Sequence, residues 1–291
     1  MEILKAFFLG VIQGITEFLP VSSSGHMSVF RHLFGMDAES SGLFAAMLHM
    51  GTLVAVILFF YKPIYELFAE FLACFDDIRN KRFTLKLSKM NETRRMLFMF
   101  IISCVPLLVL LIPIGDGKNL MDAVAVFSTD NSILAEGICF MVTGFLILLA
   151  STLSLSFKKP KKVTPFTALL IGVAQTFAAC FPGISRSGST ISAGLCCGVS
   201  KHSAIRYSFI LSVPAVLVSG LVEFKDALEA DVIIPVFPLV VGVIASAVVS
   251  LFAIKLLQGL IKNNRFKYFG YYCTTIGLIV TIISIIEKFK G

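Results

Sequence analysis

Leu9–Ser23 reads LGVIQGITEFLPVSS, and Ile171–Ser185 reads IGVAQTFAACFPGIS. At a fixed offset of 162, Gly10, Val11, Gln13, Pro20 and Ser23 fall on Gly172, Val173, Gln175, Pro182 and Ser185. Matches between apolar residues carry little weight. The shared glutamine, the proline and the serine-rich tail after it carry more. Each stretch is an apolar run broken in its middle by Pro, Gly and Ser. Such backbone is tolerated inside a membrane only where it is buried in protein or lines a wet cavity. The reading of the pair therefore turns on whether the chain is a membrane protein.

The composition answers that. Hydrophobic residues make up 57% of the chain and charged residues only 15%, against about 45–50% and about 25% in soluble domains. The apolar residues come in blocks. Met96–Ile114, Gly137–Phe157, Val232–Ile254 and Phe269–Ile286 carry no charge at all, and about 20 such residues cross a bilayer. No cleavable leader is read at the start: Ile3–Ile15 runs into Gln13, Glu17 and a serine cluster, not a small-residue cleavage site. The seven cysteines lack metal or redox spacing and read as small membrane-buried hydrophobes.

The formal net charge is +7. Its distribution points to topology, not to nucleic acid. Basic residues gather in 62–95, 158–162 and 255–267, which the positive-inside rule places in the cytoplasm. The stretches holding Asp116, Asp122 and Asp130, and Glu223, Asp226, Glu229 and Asp231, then lie outside. Spans at about 40–61, 96–114, 134–156, 204–222, 232–254 and 269–286 satisfy every loop. The leftover segments, about 1–35 and 163–200, must each enter and leave on one side, as re-entrant hairpins. The expected fold is an all-α polytopic bundle with two inverted-topology repeats, 1–157 and 158–291. In such folds the site lies where the broken helices meet near the midplane. The segment 64–75 reads as an amphipathic helix on the cytoplasmic surface.

The broken segments also hold the chemistry. Gln13 and Glu17 share a helix face, and a carboxylate in an apolar span costs about 2.5–3.5 kcal/mol on insertion scales. Glu17 is either functional or paired with a neighbouring cation. After Pro20 come Val21, Ser22, Ser23, Ser24, Gly25 and His26. On a helix Ser22 or Ser23 would stand beside His26, as in activated hydroxyl nucleophiles; one serine would serve equally as a helix cap. In the second segment Gly183, Ser185, Ser187, Gly188 and Thr190 surround Arg186, the only charge between Lys162 and Lys201. A guanidinium among hydroxyls and free amides at a helix start suits bidentate phosphate binding. His49 either lines the same cavity or is a packing histidine. His32 and His202 read as interfacial.

These residues resemble a known family. QGITEFLPVSSSGH, Gln13–His26, is similar to the first signature of the undecaprenyl-diphosphate phosphatases linked to bacitracin resistance. PGISRSGST, Pro182–Thr190, is similar to the second. The resemblance covers nearly the whole chain. It implies hydrolysis of undecaprenyl diphosphate to undecaprenyl phosphate and inorganic phosphate, recycling the carrier for peptidoglycan synthesis and conferring bacitracin resistance. It also implies a plasma-membrane location with the site open to the outer face, and a divalent cation, Mg2+ or Ca2+, near Glu17. Family roles carry over onto Glu17, Ser23, His26, Ser185, Arg186 and Thr190, with Glu17, Ser23, His26 and Arg186 expected to be catalytic. Gln13, Ser22, Ser24, Gly25, Gly183, Ser187 and Gly188, in the same two motifs, are expected to bind substrate with Ser185 and Thr190. Some members have a second glutamate where this chain has Gln13, which argues against a two-carboxylate metal cage. The implied partners are a polyprenyl diphosphate substrate and membrane lipid, with a homodimer left open and no nucleic acid. Ser23 is the expected nucleophile with His26 as proton relay; His26 attacking directly, or orienting a water, is the alternative. A transporter that flips a polyprenyl-phosphate carrier would need the phosphate clamp but no nucleophile.

Overall fold

The computed structural model describes residues 3–35, 38–84, 86–115, 118–120, 133–181, 183–229, 235–262 and 265–290. Asp116, Asp122, Asp130, Pro182 and Asp231 lie outside the described residues. Eleven helices are described: α1 (Ile3–Phe18), α2 (Ser23–Phe34), α3 (Ala38–Phe59), α4 (Tyr61–Arg79), α5 (Glu92–Cys104), α6 (Leu134–Leu153), α7 (Pro165–Cys180), α8 (Arg186–Cys196), α9 (Lys201–Glu229), α10 (Val236–Lys262) and α11 (Lys267–Lys290). Apolar runs become helices because lipid leaves no other partner for the backbone.

Glu92–Leu111, Leu134–Ser156, Val236–Leu260 and Lys267–Phe289 are long and apolar enough to cross a membrane, and α3 with α4 adds a fifth if counted as one bent span. α3 and α4 meet at 87°. That bend lays the expected surface helix across the end of the preceding span. Tyr65, Phe68, Phe71, Leu72 and Phe75 are exposed along it. Arg94 ties it to α5 through Glu70 at 2.5 Å and Asp77 at 2.7 Å.

Some boundaries differ from expectation. The second span changes to 3-10 geometry over Val105–Leu111, because Pro106 cannot donate to the helical ladder. A short antiparallel pair, β1 (Pro113–Gly115) with β2 (Lys118–Asn119), follows it. α9 runs for 29 residues, through Pro214 and on to Glu229. Helix therefore occupies Glu223–Glu229, where an external loop was expected. The residues there (Val222-Glu-Phe-Lys-Asp-Ala-Leu-Glu229) are mostly compatible with helix, and no glycine or proline interrupts them.

The two broken segments pack reciprocally. α1 lies along α10, and α7 lies along α5. Small residues let the backbones touch, as in other membrane bundles. A Cβ at Gly10 would strike the Gly242 carbonyl, and one at Gly172 would strike the Ser103 carbonyl. α6 and α11 pair in the same way: a Cβ at Gly277 would lie 2.6 Å from the Gly137 carbonyl, and one at Gly144 2.8 Å from that of Gly270.

The charge threading makes a prediction. Single cysteines replacing Lys86 and Asp122, in a background without native cysteines, should react with an impermeant thiol reagent from opposite sides of the membrane. Labelling of both from one side in intact cells would refute the threading.

Candidate active site

The two breaks form the site. α1 ends at Phe18, and the chain turns through Leu19, Pro20 and Val21 into Ser22, whose φ of 71° is rare for a non-glycine residue. Ser22 caps α2, its Oγ accepting the Gly25 amide at 3.1 Å. Ser185 caps α8 in the same way, accepting the Gly188 amide at 3.0 Å. Ser22-Ser-Ser-Gly25 is thus the structural counterpart of Ser185-Arg-Ser-Gly188. The repeat slips by one residue after its proline, so Ser22, not Ser23, matches Ser185, and Ser23 matches Arg186.

That slip places both first-turn residues against one carboxylate. Ser23 Oγ donates to Glu17 Oε2 at 2.7 Å, and Gln13 Nε2 donates to the same oxygen at 2.9 Å. Arg186 Nη2 pairs with Glu17 Oε1. His49 Nε2 stands 3.4 Å from Oε2. Glu17 is 5% exposed. The sequence left its pairing with a cation open as an alternative to function, and the structure shows the pair. Arg186 keeps its Nη1 buried without a partner.

The next serines bind the hairpins together. The Gly183 amide donates to Ser24 Oγ at 3.2 Å, and Ser187 Oγ donates to the Leu19 carbonyl at 3.3 Å. The approach requires glycine on both sides. A Cβ at Gly25 would lie 3.0 Å from the Gly183 Cα, and Gly183 itself has φ of 100°. The Ser185 amide is held by Thr143 Oγ1 at 3.0 Å. Thr190 does not face the cavity; its Oγ1 bonds the Arg186 carbonyl at 2.8 Å and Ser208 Oγ at 2.6 Å, anchoring α8 to α9.

Glu17, Ser23, Ser24, His49, Ser185, Arg186 and Ser187 line a cavity of about 450 Å³. Its other walls are largely apolar, built from Leu107, Leu108, Leu110 and Leu111, from Ala178, and from Pro214, Ala215, Val216 and Val218 of α9. Leu108, Leu111 and Val218 are each about 60% exposed, so this wall faces the surroundings that lipid fills. One end of the cavity is thus polar and charged, and the other is open to hydrocarbon.

Comparison with known proteins bears on this arrangement. Residues 6–279 match the family model described as bacitracin resistance protein BacA. The chain belongs to the BacA family. Relatives named undecaprenyl-diphosphatase include one from Methanosphaera stadtmanae, 37% identical over 98% of this chain and 99% of its own length. One from Halothermothrix orenii is 36% identical over 98% and 99%, and one from Bacteroides fragilis is 32% identical over 98% and 99%.

One expectation from the residue spacing does not match the geometry. The hydroxyl–imidazole pair of Ser23 with His26 is not formed. His26 Nδ1 donates to the Ser22 carbonyl at 2.7 Å, and Nε2 meets the Tyr272 hydroxyl at 2.8 Å. Its ring packs edge-on against Phe140. Both ring nitrogens are therefore occupied, and the helix turns Ser23 about 100° away from the cap residue toward Glu17. Tyr272 gave no local signal, lying 246 residues from His26. Glu136 was legible as an acid at the head of an apolar run but was not singled out. It is buried, and Ser28 Oγ donates to it at 2.6 Å.

Among the described residues no group of three or more His, Cys, Asp or Glu side chains is placed to hold an ion. Glu17 offers one carboxylate, and Gln13 Oε1 is buried beside it without a partner. That all-oxygen pair suits a hard cation that takes its remaining ligands from water and phosphate, as Mg2+ commonly does.

Proposed function

We propose that this chain hydrolyses undecaprenyl diphosphate to undecaprenyl phosphate and inorganic phosphate at the junction of the two hairpins. The observation that carries the reading is the Ser23 hydroxyl on a lone buried carboxylate, with an unpartnered Arg186 Nη1 beside it. Family membership and relatives named for this activity support it.

The diphosphate enters the polar end of the cavity, and its isoprenoid tail leaves through the apolar wall into lipid. Arg186 offers Nη1 to the terminal phosphate while Nη2 stays on Glu17 Oε1, offsetting the charge of the transferring group. Glu17, through Oε2, takes the Ser23 proton as Oγ attacks the terminal phosphorus. The anhydride bond breaks and undecaprenyl phosphate departs with the bridging oxygen. Water then hydrolyses the phosphoserine, releasing inorganic phosphate and returning the hydroxyl to Ser23. His49, on the cavity wall, is placed to relay the proton held by Glu17. His26 holds the α2 turn in place through Ser22 and Tyr272. Glu17 and Gln13 Oε1 would hold a divalent cation, which would supply further charge neutralisation.

The inverted-repeat reading, with one hairpin in each half, is part of the same proposal. The reciprocal packing of Gly10 and Gly172 supports it. We further read the site as open to the outer face of a plasma membrane, where hydrolysis recycles the carrier for peptidoglycan synthesis and protects it from bacitracin.

A carrier transporter needs Arg186 but not the Ser23–Glu17 bond. Purified protein in detergent, given undecaprenyl diphosphate, is expected to release inorganic phosphate. Movement of the lipid across proteoliposomes without phosphate release would overturn hydrolysis.

A further inference from the structure

A second cavity, of about 600 Å³, sits at the other end of the same two helices. The first is bounded by Cys104 of α5 and Pro214, Ala215, Val216 and Val218 of α9; the second by Arg95, Met96 and Met99 of α5 and His202, Ser203, Arg206 and Tyr207 of α9. From Arg206 to Pro214 is eight residues of α9, about 12 Å along its axis. The buried pair of Ser103 and Tyr207, joined at 2.8 Å, belongs to the helix contact at this level. The second cavity is distinct from the proposed hydrolytic site and goes beyond that reading.

Its wall is strongly basic. Arg95, Lys161, Lys162, Arg206 and His202 line it, with Glu92 as its one acidic lining residue. Glu92 is engaged by Lys162 at 2.6 Å on the exposed rim. Arg95 and Arg206 are half-buried, and among the described residues neither makes a salt bridge; Glu92 feels the charge of Arg95 without bonding it. The Arg206 Nε is buried without a hydrogen-bond partner. The start of α9 opens into the same space, with Ser203 and the preceding Ser200, whose Oγ accepts the Ser203 amide, in the lining. Met96, Met99 and Leu87 add an apolar side.

Topology alone asks that cations lie on this face. It does not ask that two guanidiniums be drawn halfway into a cavity whose one acidic lining residue, Glu92, is already held by Lys162 on the exposed rim. Desolvating a cation without a partner is costly, and a guanidinium fork matches a phosphate group. We propose that this cavity is a binding site for a phosphate group, carried by an anionic lipid or as the free ion. Arg95 and Arg206 are its principal ligands. Basic pockets between membrane helices take anionic headgroups in this manner.

Calorimetric titration of purified protein in detergent tests this. The protein carries Arg186→Lys, which keeps the Glu17 ion pair and weakens the first site. The probes are dihexanoyl phosphatidic acid, below its micellar concentration, and inorganic phosphate, in separate titrations. One binding event should survive Arg186→Lys, and adding Arg95→Gln with Arg206→Gln should weaken it at least tenfold. Binding of the lipid at concentrations where inorganic phosphate is silent assigns a lipid headgroup; equal affinities assign the free ion. Unchanged affinity in the glutamine pair would overturn the site, as would no binding of either probe. In protein with Arg186 intact, the glutamine pair should keep its phosphate-release rate, which shows that it folds. If that pair does not fold, Arg95→Lys with Arg206→Lys takes its place, and unchanged affinity there counts equally against the proposal.

Discussion

Arg186→Lys is expected to lower kcat/KM for undecaprenyl diphosphate by about a hundredfold or more, a barrier increase of about 2.7 kcal/mol. Charge is not the issue, since lysine keeps it. The guanidinium does two things at once: Nη2 holds Glu17, and Nη1 lies buried with no protein partner. A single ammonium can serve the carboxylate or the phosphate, but it lacks the planar fork that reaches both. Leaving Glu17 uncompensated in an apolar surrounding would cost several kcal/mol, so lysine should remain on Glu17 and abandon the substrate. The variant should therefore insert and fold, because the ion pair survives. Near-wild-type turnover in a phosphate-release assay would show that a point charge suffices.

Ser23→Ala is expected to abolish turnover, while Ser22→Ala and Ser24→Ala only reduce it. Each of the three hydroxyls has a different partner. Ser22 caps α2, a contact worth about 1 kcal/mol. Ser24 accepts the Gly183 amide, a hydrogen bond worth about 1 kcal/mol net. Ser23 alone reaches Glu17. Loss of a nucleophile lowers kcat without a matching loss of substrate binding. If Ser23→Ala keeps more than about a tenth of the rate, a barrier change under about 1.4 kcal/mol, Ser23 is not the nucleophile. A water held by Glu17 would then take its place.

Much of this site was legible because a membrane penalises polar residues. Glu17 and Arg186 stood out as lone charges in apolar segments, and Pro20 with its serines marked the break. Their mutual pairing was not legible, because 169 residues separate them. For His49 the sequence leaves cavity wall and packing histidine equally open, and only tertiary structure brings it to Glu17 on the cavity wall. The Ser–His pairing failed for a local reason. Spacing of three or four residues from His26 is shared by Ser22 and Ser23, and the cap that selects between them depends on the φ of 71° at Ser22. A fixed offset between the repeats hid the one-residue slip, which moves Ser23 from the counterpart of a cap to the counterpart of Arg186. The bundle itself was visible in charge-free runs. The length of α9 was not, since acidic residues mark a helix end and a loop alike.

The central claim is that one residue from each hairpin, Ser23 and Arg186, acts with Glu17 as a single unit on the diphosphate. A double-mutant cycle on kcat/KM for phosphate release tests it most directly, using Ser23→Ala, Arg186→Lys and both together. Groups that act as a unit are grossly non-additive. The account predicts that the double variant is about as slow as the slower single variant. Effects that multiply across the cycle would contradict it and leave the two hairpins as independent contributors.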